Sequence, residues 1–158
     1  MRWQEVVEDP NLKNLPFKIE LNEYGKILMS PQKVYHSAFQ GEIGYLLQSI
    51  LKSGKVLSEC AITTNKGVKV ADVAWASSDR FSVIKNETAC SIAPEICIEI
   101  ISASNSAKEM KEKRDLYFEH GAEEFWLCDE NGNITFFDKD GRINNSKKAP
   151  KFPKKIEQ

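Results

Sequence analysis

The sequence predicts an α/β domain in which a mixed β-sheet is flanked by helices. Three observations predict it. Segments with strand-like alternation interleave with two segments whose apolar residues recur at helical spacing. Turn-forming residues separate them in the order β-hairpin, helix, β-hairpin, strand, helix, β-hairpin. The 158 residues, 41% of them hydrophobic, suffice for one sizeable core and are too few for two comfortable domains.

After a polar start containing Pro10 and Pro16, Phe17–Leu21 alternates like a strand. Asn22 to Gly25 supply a turn, Lys26–Met29 returns antiparallel, and Ser30-Pro31 closes the hairpin. From Val34 to Leu51, Phe39, Ile43, Leu46, Leu47 and Ile50 mark the clearest helix, with Gly54 as its expected C-terminal cap. Lys55–Thr64 and Val68–Trp75 read as strands joined around Asn65-Lys-Gly67. A less regular stretch with Ser77, Ser78 and Asp79 leads to the apolar strand Pro94–Ile101. Ser102–Ser106 offers N-caps for a charged helix that runs to His120 and stops at Gly121. Phe125–Cys128 and Ile134–Phe137 then flank Asn131-Gly132, a strong hairpin signal.

Charge divides the chain unevenly. Residues 142–158 carry six Lys/Arg against one acid, which leaves this end five units positive and the remainder six negative. The expected organisation is therefore one domain over residues 1–140 and a basic, flexible tail over 141–158. Cys60, Cys90, Cys97 and Cys128 are widely spaced, with no CxxC pair and no zinc pattern, as in a reduced cytoplasmic protein. The first residues lack the apolar core of a signal peptide, and no run approaches the roughly 18 apolar residues of a membrane span.

Within Pro94-Glu-Ile-Cys-Ile-Glu-Ile-Ile101, Glu99 occupies an apolar run that otherwise reads as a buried strand. A buried carboxylate costs several kcal/mol unless a cation, a metal or several donors meet it. Asp72, at the heart of Val68–Trp75, and Lys113, on the following helix, are the candidates to meet it. At 100° per residue, Ala107, Met110, Arg114, Tyr117 and Phe118 form the core-facing arc of that helix, with Lys113 at its border. Two carboxylates on neighbouring strands and a lysine reaching in from a helix suit metal-assisted phosphodiester hydrolysis. The acids hold Mg²⁺, and the lysine orients water or offsets developing charge. Glu95 lies roughly 13 Å along the strand from Glu99, too far to share a metal. Tyr117 and Trp126 read as core residues, and His36 reads equally well as a capping or packing residue and as a DNA contact.

Several motifs in order resemble the Uma-two family, within the PD-(D/E)XK nuclease superfamily. They are Ala71-Asp72, Pro94 to Ser102 with Glu99, Lys111-Glu-Lys113-Arg-Asp-Leu-Tyr117, Gly121, and Glu124-Phe-Trp-Leu-Cys-Asp129. Upstream, Glu20 in Phe17–Leu21, Gly25, Ser30-Pro31 and His36 extend the resemblance to about residues 15–138. The resemblance implies a restriction-endonuclease-like mixed β-sheet flanked by helices, and a DNA endonuclease using Mg²⁺, or Mn²⁺ in its place. It implies Asp72 and Glu99 as metal ligands, Lys113 as a basic residue moved from strand to helix, and Glu20 as an acid completing the site. Duplex DNA as substrate and a homodimer follow by analogy. Two positions depart from the pattern: the Pro of Pro-Asp is Ala71, and the position two after Glu99 is Ile101 instead of lysine. The missing lysine favours, as the alternative, a catalytically inactive nucleic-acid-binding or protein-interaction module on the same fold. A third reading uses the same acids against RNA or small nucleotides.

Overall fold

A computed structural model describes residues 1–157 of the chain. The interleaved elements read from the sequence are present. They are β1 (Phe17–Leu21), β2 (Ile27–Pro31), α2 (Val34–Leu51), β3 (Lys55–Thr64), β4 (Gly67–Ala76), β5 (Ile96–Ile100), α4 (Ala107–Glu119), β6 (Glu124–Cys128) and β7 (Ile134–Asp138). Four elements lie outside the sequence expectation: α1 (Trp3–Glu8), α3 (Ser78–Ile84), β8 (Gly141–Ile143) and a 3-10 turn at Pro10–Leu12. The first two are short, at six and seven residues, and bury one residue each, Val6 and Ile84, so neither projects an apolar stripe into the sequence.

Six strands form the main sheet in the order β3-β4-β5-β6-β7-β8, while β1 and β2 pair only with each other. Every neighbouring pair is antiparallel except β5 and β6, whose parallel register runs from Ile96 opposite Glu124 to Ile100 opposite Cys128. A parallel pair needs a long crossover, and α4 supplies it.

The period-two pattern of β5 sorts its side chains between two cores. Ile96, Ile98 and Ile100 join Phe39, Ile43 and Leu47 of α2, together with Trp126 and Phe136. Cys97 faces the opposite way, toward Tyr117 of α4, Phe125 and Ala74. Each large aliphatic or aromatic side chain removed from water in this way contributes about 1.5–3 kcal/mol. The left-handed position that ends α2 belongs to Lys52, with φ 60°, and not to the expected Gly54. Gly54 has its own positive φ, and a Cβ there would collide with the indole of Trp75 and the carbonyl of Ala76.

The basic C-terminal segment is folded, contrary to the expectation from its charge. Ala149, Phe152 and Ile156 are buried in the α2-side core, and Phe152 packs 4.6 Å from the Trp126 ring, centroid to centroid. Gly132 accepts a hydrogen bond from the Ile156 amide, and the close approach leaves no space for a Cβ at this glycine. Glu124, 2% exposed, accepts from Ser146 Oγ at 2.6 Å and from the amides of Lys147 and Lys148 at 3.0 and 2.9 Å. The lysines stay at the surface on long stems while the few apolar residues between them fill the core. Composition alone registers only the lysines.

Candidate active site

The register of β4 with β5 covers only Val73–Trp75 and Ile96–Ile98, so the strands part beyond Val73 and Ile98. In the gap, the Asp72 side chain replaces a backbone partner, its Oδ2 accepting the Ile100 N–H at 2.8 Å. On the other side, the β3–β4 register skips Asp72 and Glu59, and Glu59 adopts a positive φ of 49°. Asp72 thus sits where the ladder opens on both flanks, and Glu99 stands at the same opening on β5.

The structure brings all four expected site residues, Glu20, Asp72, Glu99 and Lys113, into one buried cluster, each at most 6% exposed. Lys113 Nζ lies 2.9 Å from Glu20 Oε2 and 3.3 Å from Glu99 Oε1. Glu20 also ties β1 to the main sheet, accepting the Val70 N–H at 2.7 Å. The helix faces differ from the expected arc: Met110, Lys113, Leu116 and Tyr117 are the buried residues of α4, while Ala107 is exposed. Lys113 is therefore an inward residue and not a border one, because two carboxylates receive its charge. Glu95 lies apart, accepting the Ser77 amide at 3.0 Å near Arg80.

Three further side chains complete the cluster. Lys18 Nζ sits between the two central acids, 3.1 Å from Asp72 Oδ1 and 2.9 Å from Glu99 Oε1. Tyr117, expected as plain core, is fully buried and also donates its hydroxyl to Glu99 Oε2 at 2.9 Å. His36 Nε2 lies 3.3 Å from Asp72 Oδ2, which makes His36 a site residue and not a helix cap. Its Nδ1 is the one buried side-chain polar atom without a hydrogen-bond partner among the described residues. A cavity of about 20 Å³ opens among Lys18, His36, Asp72, Glu99 and Lys113, room for about one water.

The sequence carries a signal for Lys18 through its strand neighbour. In Phe17–Leu21, Lys18 and Glu20 share one strand face, so placing Glu20 in the site carries Lys18 with it. The usual reading buries the apolar face, yet Phe17 is 41% exposed whereas Lys18 is 7% exposed. The charged face of β1 turns inward because partners of opposite sign await it.

Burial opposes ionisation throughout the cluster, and neighbours decide the outcome. For Asp72, burial is outweighed by Lys18, His36 and the Ile100 N–H, which bring its carboxyl down to about 2. Burial likewise works against Glu20, but Lys113, Lys18 and the Val70 N–H hold it below the usual carboxylate range. For Glu99, burial prevails and pushes the carboxyl up despite Lys113 and Lys18, with Asp72 and Glu20 adding to the rise. Burial would lower the Lys18 ammonium, but Glu99, Asp72 and Glu20 together raise it, so it stays charged. Burial also pushes the Tyr117 phenol well up, which keeps it a hydrogen-bond donor.

A divalent cation fits the chemistry of this donor set in one specific respect. Among the described residues, no group of three or more His, Cys, Asp or Glu side chains converges as a self-sufficient cage. Asp72 and Glu99 instead offer hard carboxylate oxygens close enough for one ammonium nitrogen to touch both. Mg²⁺ commonly takes one or two protein carboxylates and completes its shell with waters and substrate phosphate. Three acids against two lysines also leave more carboxylates than ammonium groups in the cluster.

Comparison with known proteins bears on the family and the fold. Residues 3–151 match the family model described as "Uma2: Putative restriction endonuclease". A solved structure of "a putative nuclease belonging to DUF820 from Anabaena variabilis" has a TM-score of 0.73 at 22% sequence identity, over 99% of this chain and 94% of that chain. At this identity the likeness establishes a shared fold: a mixed sheet flanked by helices. Curated proteins gave no match. The family match over nearly the whole length, on a fold with a β5-α4-β6 crossover, leads to one conclusion: the chain belongs to the Uma2 family of restriction-endonuclease-like proteins.

Proposed function

We propose that this protein is a metal-dependent DNA endonuclease that hydrolyses phosphodiester bonds. The observation that carries the reading is the convergence of Asp72 and Glu99 with Lys113 and Lys18 in one cluster that opens to a small cavity. Asp72 and Glu99 would hold Mg²⁺, or Mn²⁺ in its place, and the bound ion would supply Lewis-acid activation of the phosphate and of water.

The chain's own residues do the rest. Ile100 N–H and His36 fix the Asp72 carboxylate, and Tyr117 and Lys113 fix that of Glu99, so both acids are oriented before any substrate arrives. Lys113 places a positive charge beside the acids, in the role of the lysine that Ile101 does not provide, and offsets negative charge developing on phosphate. Glu20 holds Lys113 in place. Cleavage of both strands of a duplex takes two such sites, which a homodimer would supply. The overall charge of -1 gives little general attraction to phosphate, so DNA affinity rests on local lysines and the metal.

The test is purified protein incubated with supercoiled plasmid and linear DNA in Mg²⁺ or Mn²⁺, beside Asp72→Asn and Glu99→Gln. Nicking that disappears with chelator and in both variants supports the reading. Cleavage that persists in both variants removes the site assignment. DNA binding without cleavage favours the non-catalytic module, consistent with Ile101 and with the acids already carrying lysine partners.

A further inference from the structure

The hairpin of β1 and β2 is a sheet of its own, laid against β4, and it delivers Lys18 into the main site. Both lysines of the cluster contact Glu99 Oε1, but only Lys18 also reaches Asp72. Its stem descends from β1 and its ammonium ends between the two acids. Two carboxylates this close, each about 1% exposed, repel strongly in a low-dielectric surrounding unless a cation stands between them. The surroundings leave few alternatives: the cavity beside them holds about one water, too little for hydration to screen the pair.

We propose that Lys18 is a built-in stand-in for the divalent cation. It bridges the Asp72–Glu99 pair and offsets part of their charge in the metal-free protein, and leaves the space between them when the ion binds. Lys18 thereby sets metal affinity: the hairpin lysine and the ion compete for the same two carboxylates. The inference rests on the reading of Asp72 and Glu99 as the ion's ligands. Lys113 serves as the internal control, since it carries the same charge to the same Glu99 oxygen without bridging to Asp72.

The experiment uses the full chain without DNA and titrates Mn²⁺ into wild type, Lys18→Met and Lys113→Met by calorimetry, with thermal denaturation of each protein in chelator and in Mn²⁺. Lys18→Met should bind Mn²⁺ about tenfold or more tighter than wild type, with a clearly smaller gain in Lys113→Met. In chelator Lys18→Met should melt below wild type, and Mn²⁺ should recover most of that loss while moving wild type less. Lys18→Gln keeps a donor without the charge and serves the same comparison if the Met variant does not fold. Equal Mn²⁺ affinity in wild type and the Lys18 variant overturns the inference while leaving the ligand reading intact. Equal gains in the Lys18 and Lys113 variants overturn it in favour of a plain net-charge effect. No Mn²⁺ binding by any of the proteins overturns both.

Discussion

Lys18 donates to Glu99 at 2.9 Å across 81 positions of sequence, and both side chains are almost wholly removed from solvent. An ion pair so placed is not free stabilisation, because each partner sheds its hydration to enter the interior. Its value lies in fixing one arrangement of the acids. The energetic consequences extend to the groups around it.

Tyr117→Phe removes one hydroxyl and little volume, leaving Glu99 Oε2 without its 2.9 Å donor. A hydrogen bond to a charged group is worth about 1.5–3 kcal/mol, so urea unfolding should show a loss of that order. A change below about 0.5 kcal/mol would mean that the hydroxyl does not bear on the carboxylate.

Acid should expose the Asp72 contribution. The carboxyl is lowered from 3.8 to about 2 in the folded protein, so its stabilisation is complete above pH 3.8 and disappears as pH falls through about 2. The size is about 2 kcal/mol at 1.36 kcal/mol per unit. Glu99 acts with the opposite sign, since its folded value is raised above 4.5, and its contribution to stability grows as pH falls through that raised value toward 4.5. Urea midpoints measured between pH 2 and 5 should fall more steeply for wild type than for Asp72→Asn. Parallel curves would refute the Asp72 assignment.

The C-terminal segment should behave as part of the core. Phe152→Ala leaves a void against Trp126 and should cost about 3–5 kcal/mol, whereas a mobile tail would lose nothing measurable. Glu124→Ala should strip the Lys147 and Lys148 amides of their acceptor and speed their hydrogen exchange. Unchanged exchange at both amides would show that Glu124 does not anchor the segment.

Much of the fold was legible because it is written in local patterns. Phe39, Ile43 and Leu47 repeat every four residues and build α2, and the alternation of β5 separates the isoleucines from Cys97 and Glu99. Of the site, the acids were legible because a carboxylate inside an aliphatic run contradicts its surroundings. Lys18 was legible only through Glu20, which shares its strand face; on its own, a lysine in an alternating hairpin looks the same whether it faces water or a distant pair of acids. Tyr117 was likewise readable as apolar bulk, while its hydroxyl partner could be seen only in space. His36 lacked any local sign of its contact with Asp72.

By itself the sequence determined the order of the longer strands and helices, the two central acids and a helix lysine able to approach them, since these follow from periodicity and from the cost of burying charge. Only the tertiary structure decided which cations meet which acids, that the charged face of β1 turns inward, and that the lysine-rich end folds onto Trp126. The reason is physical. Local pattern reports where a side chain prefers to point, whereas the sign and distance of its partner depend on segments far away in the chain.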